Sequence, residues 1–330
     1  MSVLVTGGAG YIGSHVVLAL LDAAHEVIVL DNLSTGIGSA VAQKVPLVRG
    51  DIGDQELVGR LLRQYHIDSV MHFAGSIVVP ESVSDPLKYY WNNTAKSCSL
   101  IESCVKNDVK NFIFSSTAAV YGHHEDGELL TEDVPLDPSS PYARSKRMIE
   151  EILADTARSH DFRYVALRYF NVAGADPAGR IGQSTPNATH LIKVACQTAL
   201  GLRSHLDVYG TDYPTPDGTC IRDFIHVTDL ADAHLIVLAH LKGGGSSDVF
   251  NCGYGKGHSV TEVIRAFEAE TGQSLPVKIA DRRPGDLVTV VADSTKLRQT
   301  LNWQPRYDNL SFIVQTALAW ERQCQREQAG

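Results

Sequence analysis

Residues Thr6-Gly7-Gly8-Ala9-Gly10-Tyr11-Ile12-Gly13 follow directly on the apolar run Met1-Ser2-Val3-Leu4-Val5. A buried strand, a glycine-rich turn and an apolar-periodic helix over 11–24, in that order, form the junction at which a dinucleotide's diphosphate is bound. Gly7 and Gly10 remove side chains where backbone must turn tightly and approach a pyrophosphate. Gly13 lets the helix pack close to the strand. The start of the helix offers free N–H groups and the positive end of its dipole to the phosphates. The second strand, 26–30, ends in Asp31. A carboxylate there accepts hydrogen bonds from both adenosine ribose hydroxyls and repels a 2′-phosphate, so NAD is expected in preference to NADP.

Outward from this junction the first half of the chain alternates strand and helix. Strands are predicted at 3–6, 26–30, 46–49, 68–72, 110–115 and 163–168, and helices at 11–24, 54–65, 84–107 and 141–159. The alternation implies an α/β fold, a Rossmann-type doubly wound parallel sheet covered on both faces. Residues 1–170 form the dinucleotide-binding domain, with 221–245 expected to rejoin it as strand plus helix. Residues 171–220 and 246–330 form a smaller C-terminal substrate-binding lobe. The segments 171–186 and 209–219 are rich in Gly, Pro, Asp and Thr and read as long loops of the functional kind, with a short helix at 189–201 between them. Helix 84–107 carries more apolar positions (Leu87, Tyr90, Trp91, Cys98, Leu100, Ile101, Val105) than one stripe against the sheet needs. A homodimer through helices 84–107 and 141–159 is therefore expected.

The 330 residues are 44% hydrophobic and 20% charged, ordinary for a globular protein, with a net charge of −9. That charge argues against nucleic acid as a partner, since phosphate backbones need a basic face. The chain begins inside a strand and has no apolar run long enough for a membrane span, so neither a signal peptide nor a membrane association is expected. Cys98, Cys104, Cys196, Cys220, Cys252 and Cys324 form no C-x-x-C pair. This argues against a metal site and suits free thiols in a reducing cytoplasm.

The second chemical signal is Ser139-Ser140-Pro141-Tyr142-Ala143-Arg144-Ser145-Lys146. Ser140 and Pro141 suit the cap and first position of a helix, which puts Tyr142 and Lys146 on one face at i and i+4. A nearby ammonium and a helix start both favour the phenolate, which makes Tyr142 a base for an alcohol proton. Tyr-x-x-x-Lys is common by chance; next to a dinucleotide turn it carries weight. The third signal is the strand end Phe112-Ile113-Phe114-Ser115-Ser116-Thr117-Ala118-Ala119-Val120-Tyr121-Gly122, where Thr117 is placed to bind the oxygen that Tyr142 deprotonates. Ser and Thr at a strand end are equally ordinary turn chemistry.

With these segments the chain resembles the extended short-chain dehydrogenases/reductases, and within them the nucleotide-sugar 4-epimerases. Further matches are Leu30-Asp31-Asn32-Leu33, His72-Phe73-Ala74-Gly75, Leu167-Arg168-Tyr169-Phe170-Asn171, Tyr209 to Val227 and Arg282 to Asp286, and the likeness spans nearly the whole chain. The resemblance implies an isomerase that epimerises a UDP-hexose at C4, UDP-galactose to UDP-glucose, through a transient 4-keto sugar and a tightly held NAD. It implies that Thr117, Tyr142 and Lys146 are catalytic. It implies NAD contacts from Tyr11, Ile12, Asp31, Asn32, Leu33, Ser34, Thr35, Gly36, Asp51, Ile52, Phe73, Ala74, Gly75, Ser76, Asn92, Tyr142, Lys146 and Phe170. It places Thr117, Tyr142, Asn171, His190, Leu191, Tyr209, Arg222, Arg283 and Asp286 on the UDP-sugar, and two arginines suit a diphosphate.

The chain departs from relatives at three positions. Thr117 replaces a common Ser and keeps the hydroxyl. Ile77 replaces a cofactor-contacting Lys of some relatives. Val290 replaces a bulky Tyr of others, leaving room for an N-acetyl group on the sugar. A 4,6-dehydratase or a UDP-glucuronate decarboxylase shares the Tyr/Lys pair but carries an acid after the hydroxyl residue, where Ala118 and Ala119 stand. A dinucleotide-sensing regulator on the same fold need not keep the base at all.

Overall fold

The computed structural model describes residues 2–122, 127–185, 188–283 and 285–329. In chain order the first half runs β1 (Ser2–Thr6), α1 (Tyr11–Asp22), β2 (Glu26–Asp31), β3 (Leu47–Arg49), α2 (Gln55–Gln64), β4 (Ile67–His72), α3 (Val79–Ser84), α4 (Pro86–Tyr89), a π-helical segment (Tyr90–Ala95), α5 (Lys96–Lys106), β5 (Asn111–Ser115), α6 (Pro141–Ser159) and β6 (Arg163–Tyr169). The second half runs β7 (Asn171–Ala173), α7 (Leu191–Ala199), β8 (Leu206–Tyr209), β9 (Ile221–His226), α8 (Val227–Lys242), β10 (Asp248–Cys252), β11 (Gly257–Ser259), α9 (Val260–Thr271), β12 (Val277–Ala280), β13 (Thr289–Val290), α10 (Thr295–Leu301) and α11 (Leu310–Ala329).

Among the described residues, seven strands form one sheet in the order β3-β2-β1-β4-β5-β6-β10, with every pairing parallel. Strands buried on both faces must be apolar throughout, and β1 is buried along its whole length. Alternation then sorts the residues. Val3 and Val5 face one core with Val27, Val29 and helices α1 and α8. Leu4 faces the opposite core with Ile28, Leu30, Phe112, Phe114 and helices α2, α5 and α6. The strand order reverses between β1 and β4, which opens a crevice at their carboxyl ends.

Two assignments differ from the sequence reading. The strand at 221–226 does not rejoin the main sheet: β9 pairs with β7, β11 and β13 in a separate small sheet. The helix that follows it, α8, does return to pack on α1. The seventh main-sheet strand is β10, inside the range assigned to the lobe. Its Phe250 and Cys252 lie fully buried beside β6. A short apolar strand has no local mark that tells which of two sheets it completes. The remaining lobe is built from the small sheet, the β8–β12 pair, and helices α7, α9 and α11. A reciprocal capping box between Ser259 and Glu262 starts α9.

The predicted helix 84–107 is not continuous. Asp85 caps α4 by accepting the Lys88 N–H at 3.3 Å, with Pro86 as the first helical residue. The π-helical segment Tyr90–Ala95 then inserts before α5. In a regular helix neighbouring side chains diverge by about 100°. Here Asn92 and Asn93 both reach Ser76: Asn92 Nδ2 donates to Ser76 Oγ at 3.0 Å, and Asn93 Oδ1 accepts the Ser76 N–H at 2.7 Å. Such π segments recur at functional sites. Among the described residues no helix is long and apolar enough to cross a membrane.

Candidate active site

The glycine turn holds the geometry its sequence implies. Gly7 has φ +72°, and a Cβ there would sit 2.5 Å from the Ala74 nitrogen at the end of β4. A Cβ on Gly13 would sit 2.3 Å from the Gly7 carbonyl oxygen, so helix and turn touch backbone to backbone. Gly10 caps α1 without a side chain, so no side chain covers the N–H groups of the first turn. Asp31, buried at the end of β2, accepts from the Ala9 N–H at 3.0 Å and the Leu33 N–H at 2.8 Å. It thereby ties the turn to the 32–36 loop, and a carboxylate keeps further acceptor capacity for ribose hydroxyls. Gly36 approaches the same carboxylate closely, since its Cβ would lie 3.1 Å from Asp31 Oδ1. A bare helix start, a cradle that Cβ atoms would fill and an acid beyond the second strand together fit a dinucleotide.

The far side of the cradle is braced by ion pairing. Asp51 accepts from Lys96 Nζ at 2.5 Å and from the Gly53 N–H at 2.8 Å. Burial opposes its ionisation, but Lys96 and that N–H prevail and hold its carboxyl below the ordinary value. Ile52 is buried behind it, Asn32 also bonds the Asp51 carboxyl, and Asn32, Ser34 and Thr35 are exposed. Tyr11 turns away from the turn and donates its hydroxyl to the Gly174 carbonyl at 2.7 Å, joining α1 to the lobe.

The chemistry-bearing groups gather where β5 ends. Ser140 accepts the Ala143 N–H at 3.2 Å and starts α6, with Pro141 as its first residue, as the sequence implies. Tyr142 and Lys146 then face the sheet. Lys146 is 3% exposed and donates to the Ser115 carbonyl at 2.9 Å. Burial lowers its pKa to about 8, against the pull of Glu150. For Tyr142 the expectation of a lowered pKa is not met by the protein's own groups. Burial holds the phenol above its ordinary value, and the hydrogen-bonding Thr117 hydroxyl opposes it. Burial outweighs the groups that favour the phenolate, and Lys146 Nζ is directed at the Ser115 carbonyl. Tyr89 meets Tyr142 edge to face at 6.4 Å.

Several residues of the site carried no legible signal. Asn93, 1% exposed, also donates to the Ser76 carbonyl and to Ser145 Oγ, each at 3.0 Å, and so fixes the 73–76 loop to α6. His72 bonds Thr6 Oγ1 and Ser97 Oγ, both at 2.7 Å, and burial beside Lys146 lowers its pKa to about 3, so it stays neutral. Tyr169 bonds Ser115 Oγ. A buried polar residue in an apolar stretch was the only available hint, and it does not name a partner.

The proposed substrate residues sit on the smaller lobe, on or beside β7, β8, β9 and α7. Arg222 on β9 reaches Asp286 at 3.4 Å, while Arg283 lies 3.7 Å over the Tyr209 ring. Asn171 is exposed at the start of β7. His190, at the start of α7 before Leu191, bonds Gln183 Nε2 at 2.9 Å. Phe170 is buried with Ala118, and Val290 packs against the same cluster.

The profile of the NAD dependent epimerase/dehydratase family matches residues 3–253. The chain belongs to this family. It is 56% identical to the UDP-glucose 4-epimerase of Azospirillum brasilense, over 99% of this chain and 94% of that one. The UDP-glucose 4-epimerase of Bifidobacterium longum, solved in complex with NAD+ and UDP, superposes with a TM-score of 0.92 at 36% identity, covering 98% of both chains. The UDP-Glc/GlcNAc 4-epimerase of Campylobacter jejuni superposes at 0.85 with 46% identity, over 98% of this chain and 99% of that one.

The contact between Gly13 and the Gly7 carbonyl gives a direct test. Gly13→Ala should lower unfolding stability by about 2 kcal/mol or more, because neither backbone can retreat from the added methyl. It should also weaken NAD retention after gel filtration. An unchanged urea midpoint together with unchanged NAD content would refute this account of the turn.

Proposed function

We propose that this enzyme interconverts UDP-galactose and UDP-glucose by reversible oxidation at the sugar C4. The observation that carries the reading is the convergence of Tyr142, Thr117 and Lys146 at the carboxyl end of the parallel sheet, beside a cradle that fits a dinucleotide. Gly7, Gly10, Gly13, Asp31 and the 73–76 loop would hold NAD, with Asn92 and Phe170 at its nicotinamide end. Bound NAD supplies a hydride acceptor and donor at C4 and a formal positive charge near the phenol.

The protein's own groups do the rest. The Tyr142 oxygen takes the proton of the 4-hydroxyl and later returns it. Thr117 positions the same oxygen. Lys146 adds positive charge behind the phenol. Arg222 and Arg283 anchor the diphosphate, so the sugar can turn while UDP stays in place. Ala118 and Ala119 offer no acid for elimination, and the nearby Glu132 carboxylate is engaged by the Asn251 N–H at 2.7 Å. This disfavours the dehydratase and decarboxylase readings. The six thiols are unpaired, which suits a reducing cytoplasm.

Incubation with UDP-galactose and no added oxidant should yield UDP-glucose. Tyr142→Phe should lower turnover by at least about a hundredfold, the usual scale of a lost acid–base group, with NAD content retained. Absence of product from NAD-loaded protein refutes the reading.

Val290 stands opposite Arg222 in the β13–β9 register. A small side chain there leaves room at the sugar's second carbon, so UDP-GlcNAc should also be epimerised, and Val290→Tyr should abolish that activity while sparing UDP-galactose. Failure to turn over UDP-GlcNAc at any enzyme concentration removes this assignment.

A homodimer is supported by an apolar face that the fold leaves bare. Val83, Leu87 and Trp91 are 66%, 77% and 68% exposed along α3, α4 and the π segment, with Met148 exposed on α6. Sedimentation should give twice the chain mass, and Trp91→Glu should yield monomers. A monomer at micromolar concentration for the unmodified protein would contradict this.

A further inference from the structure

Three consecutive residues at the end of β5 are each gripped by one residue from a single face of α6. Thr117 meets the phenol of Tyr142, the Ser115 carbonyl accepts from Lys146 Nζ at 2.9 Å, and Ser116 Oγ donates to Glu150 Oε1 at 2.5 Å. Tyr142, Lys146 and Glu150 lie at i, i+4 and i+8, successive positions on that face. The first two belong to the reaction; the third is outside it. Glu150 is 6% exposed, and its carboxylate is fixed by Arg168 on β6, with Nε 3.1 Å from Oε1 and Nη2 2.6 Å from Oε2. Arg168 is itself held by the Tyr121 hydroxyl at 3.1 Å, and Tyr121 donates to Asn251 Oδ1 at 2.6 Å.

We propose that Glu150, locked by Arg168, is a positioning residue for the reaction: by holding Ser116 it sets the adjacent Thr117 hydroxyl against the Tyr142 oxygen. The proposal rests on the epimerase reading above. A buried ion pair is weak evidence for stability, since desolvation offsets most of the attraction. A geometric task explains why this one is bonded at once to the base helix, the neighbouring strand and the residue beside Thr117. Moving Ser116 moves Thr117, because the two share a peptide unit.

The charges around these groups define the test. Tyr142 is faced by Lys146 on its own helix, Tyr89 on α4 and Tyr169 on β6. Glu150 is faced by Lys146, by Arg168 and Tyr164 on β6, and through Arg168 by Tyr121. His72 on β4 faces Lys146 and is neutral. Ser116→Ala and Glu150→Asp both leave the formal charges in place; Ser116→Ala removes only the Ser116 contact, while Glu150→Asp shortens the reach of the carboxylate to Ser116 and Arg168 alike.

In NAD-loaded protein, both variants should lower kcat about tenfold, the scale of one lost hydrogen bond in the transition state, with KM for UDP-galactose changed less than about twofold. The tyrosinate absorbance that Tyr142→Phe removes should titrate at higher pH in both, since Thr117 no longer favours the phenolate. Glu150→Asp risks misfolding; Ser116→Ala leaves the ion pair intact and decides the matter alone. Folded Ser116→Ala with unchanged kcat and an unmoved Tyr142 titration overturns the proposal. So does a loss of kcat matched by an equal rise in KM with the titration unmoved. If the unmodified protein fails to convert UDP-galactose, the epimerase reading falls instead, and the titration still judges the positioning role.

Discussion

The Gly7–Ala74 approach is the constraint on which the rest of the molecule hangs. The turn after β1 and the turn after β4 approach so closely that a Cβ on Gly7 would lie 2.5 Å from the Ala74 nitrogen, so no side chain fits between them. That contact lies where the strand order reverses, and it fixes the mouth of the crevice. Because Gly13 rests on the Gly7 carbonyl, α1 cannot slide without opening the same junction. His72 holds the junction from below, bridging Thr6 on β1 and Ser97 on α5. One crowded point thus sets the places of two strands, two helices and the 73–76 loop.

From that point the second half of the site is hung on α6. The π-helical turn lets Asn92 and Asn93 reach Ser76 together, while Asn93 also reaches Ser145 beside Lys146. The loop that follows β4 and the helix that carries Tyr142 are therefore tied through one buried amide. The same helix grips the end of β5 at Ser115 and Ser116. Buried polar networks of this kind stabilise little in net terms, yet they allow few alternative arrangements once fully satisfied. In the proposed reaction they would fix the position of the Tyr142 oxygen and Thr117.

How much of this was legible depended on whether a residue's task is local. The glycines, Ser140, Pro141, Tyr142 and Lys146 announce themselves because turns, caps and i, i+4 faces are short-range patterns. All six strands predicted for residues 1–170 exist for the same reason, since buried parallel strands read as apolar runs. The homes of β9 and β10 were not legible, because sheet membership is decided by partners far along the chain. Nor was the break in helix 84–107: the π turn answers to Ser76 and Ser145, and nothing in Asn92-Asn93 names them. Arg168 and Glu150 look in sequence like any surface pair, and only folding buries them together.

The raised Tyr142 pKa is the point at which fold and chemistry meet. Burial disfavours an isolated phenolate and an isolated ammonium alike, which is why Tyr142 is pushed up and Lys146 down. A dry site therefore resists any step that leaves one unmatched charge behind. In the proposed reaction the sugar's proton would pass to the Tyr142 phenolate, and bound NAD would supply the cationic hydride acceptor, so a pair of opposite charges would become two neutral groups. Burial that makes the phenolate costly also makes it a stronger proton acceptor once formed, and it favours the neutral side of that exchange. When the proton goes back to the sugar, Lys146 and Thr117 would stabilise the phenolate that re-forms. The rigidity of the β5 end matters for that reason: in a dry pocket a hydroxyl that drifts from the phenol has no water to replace it.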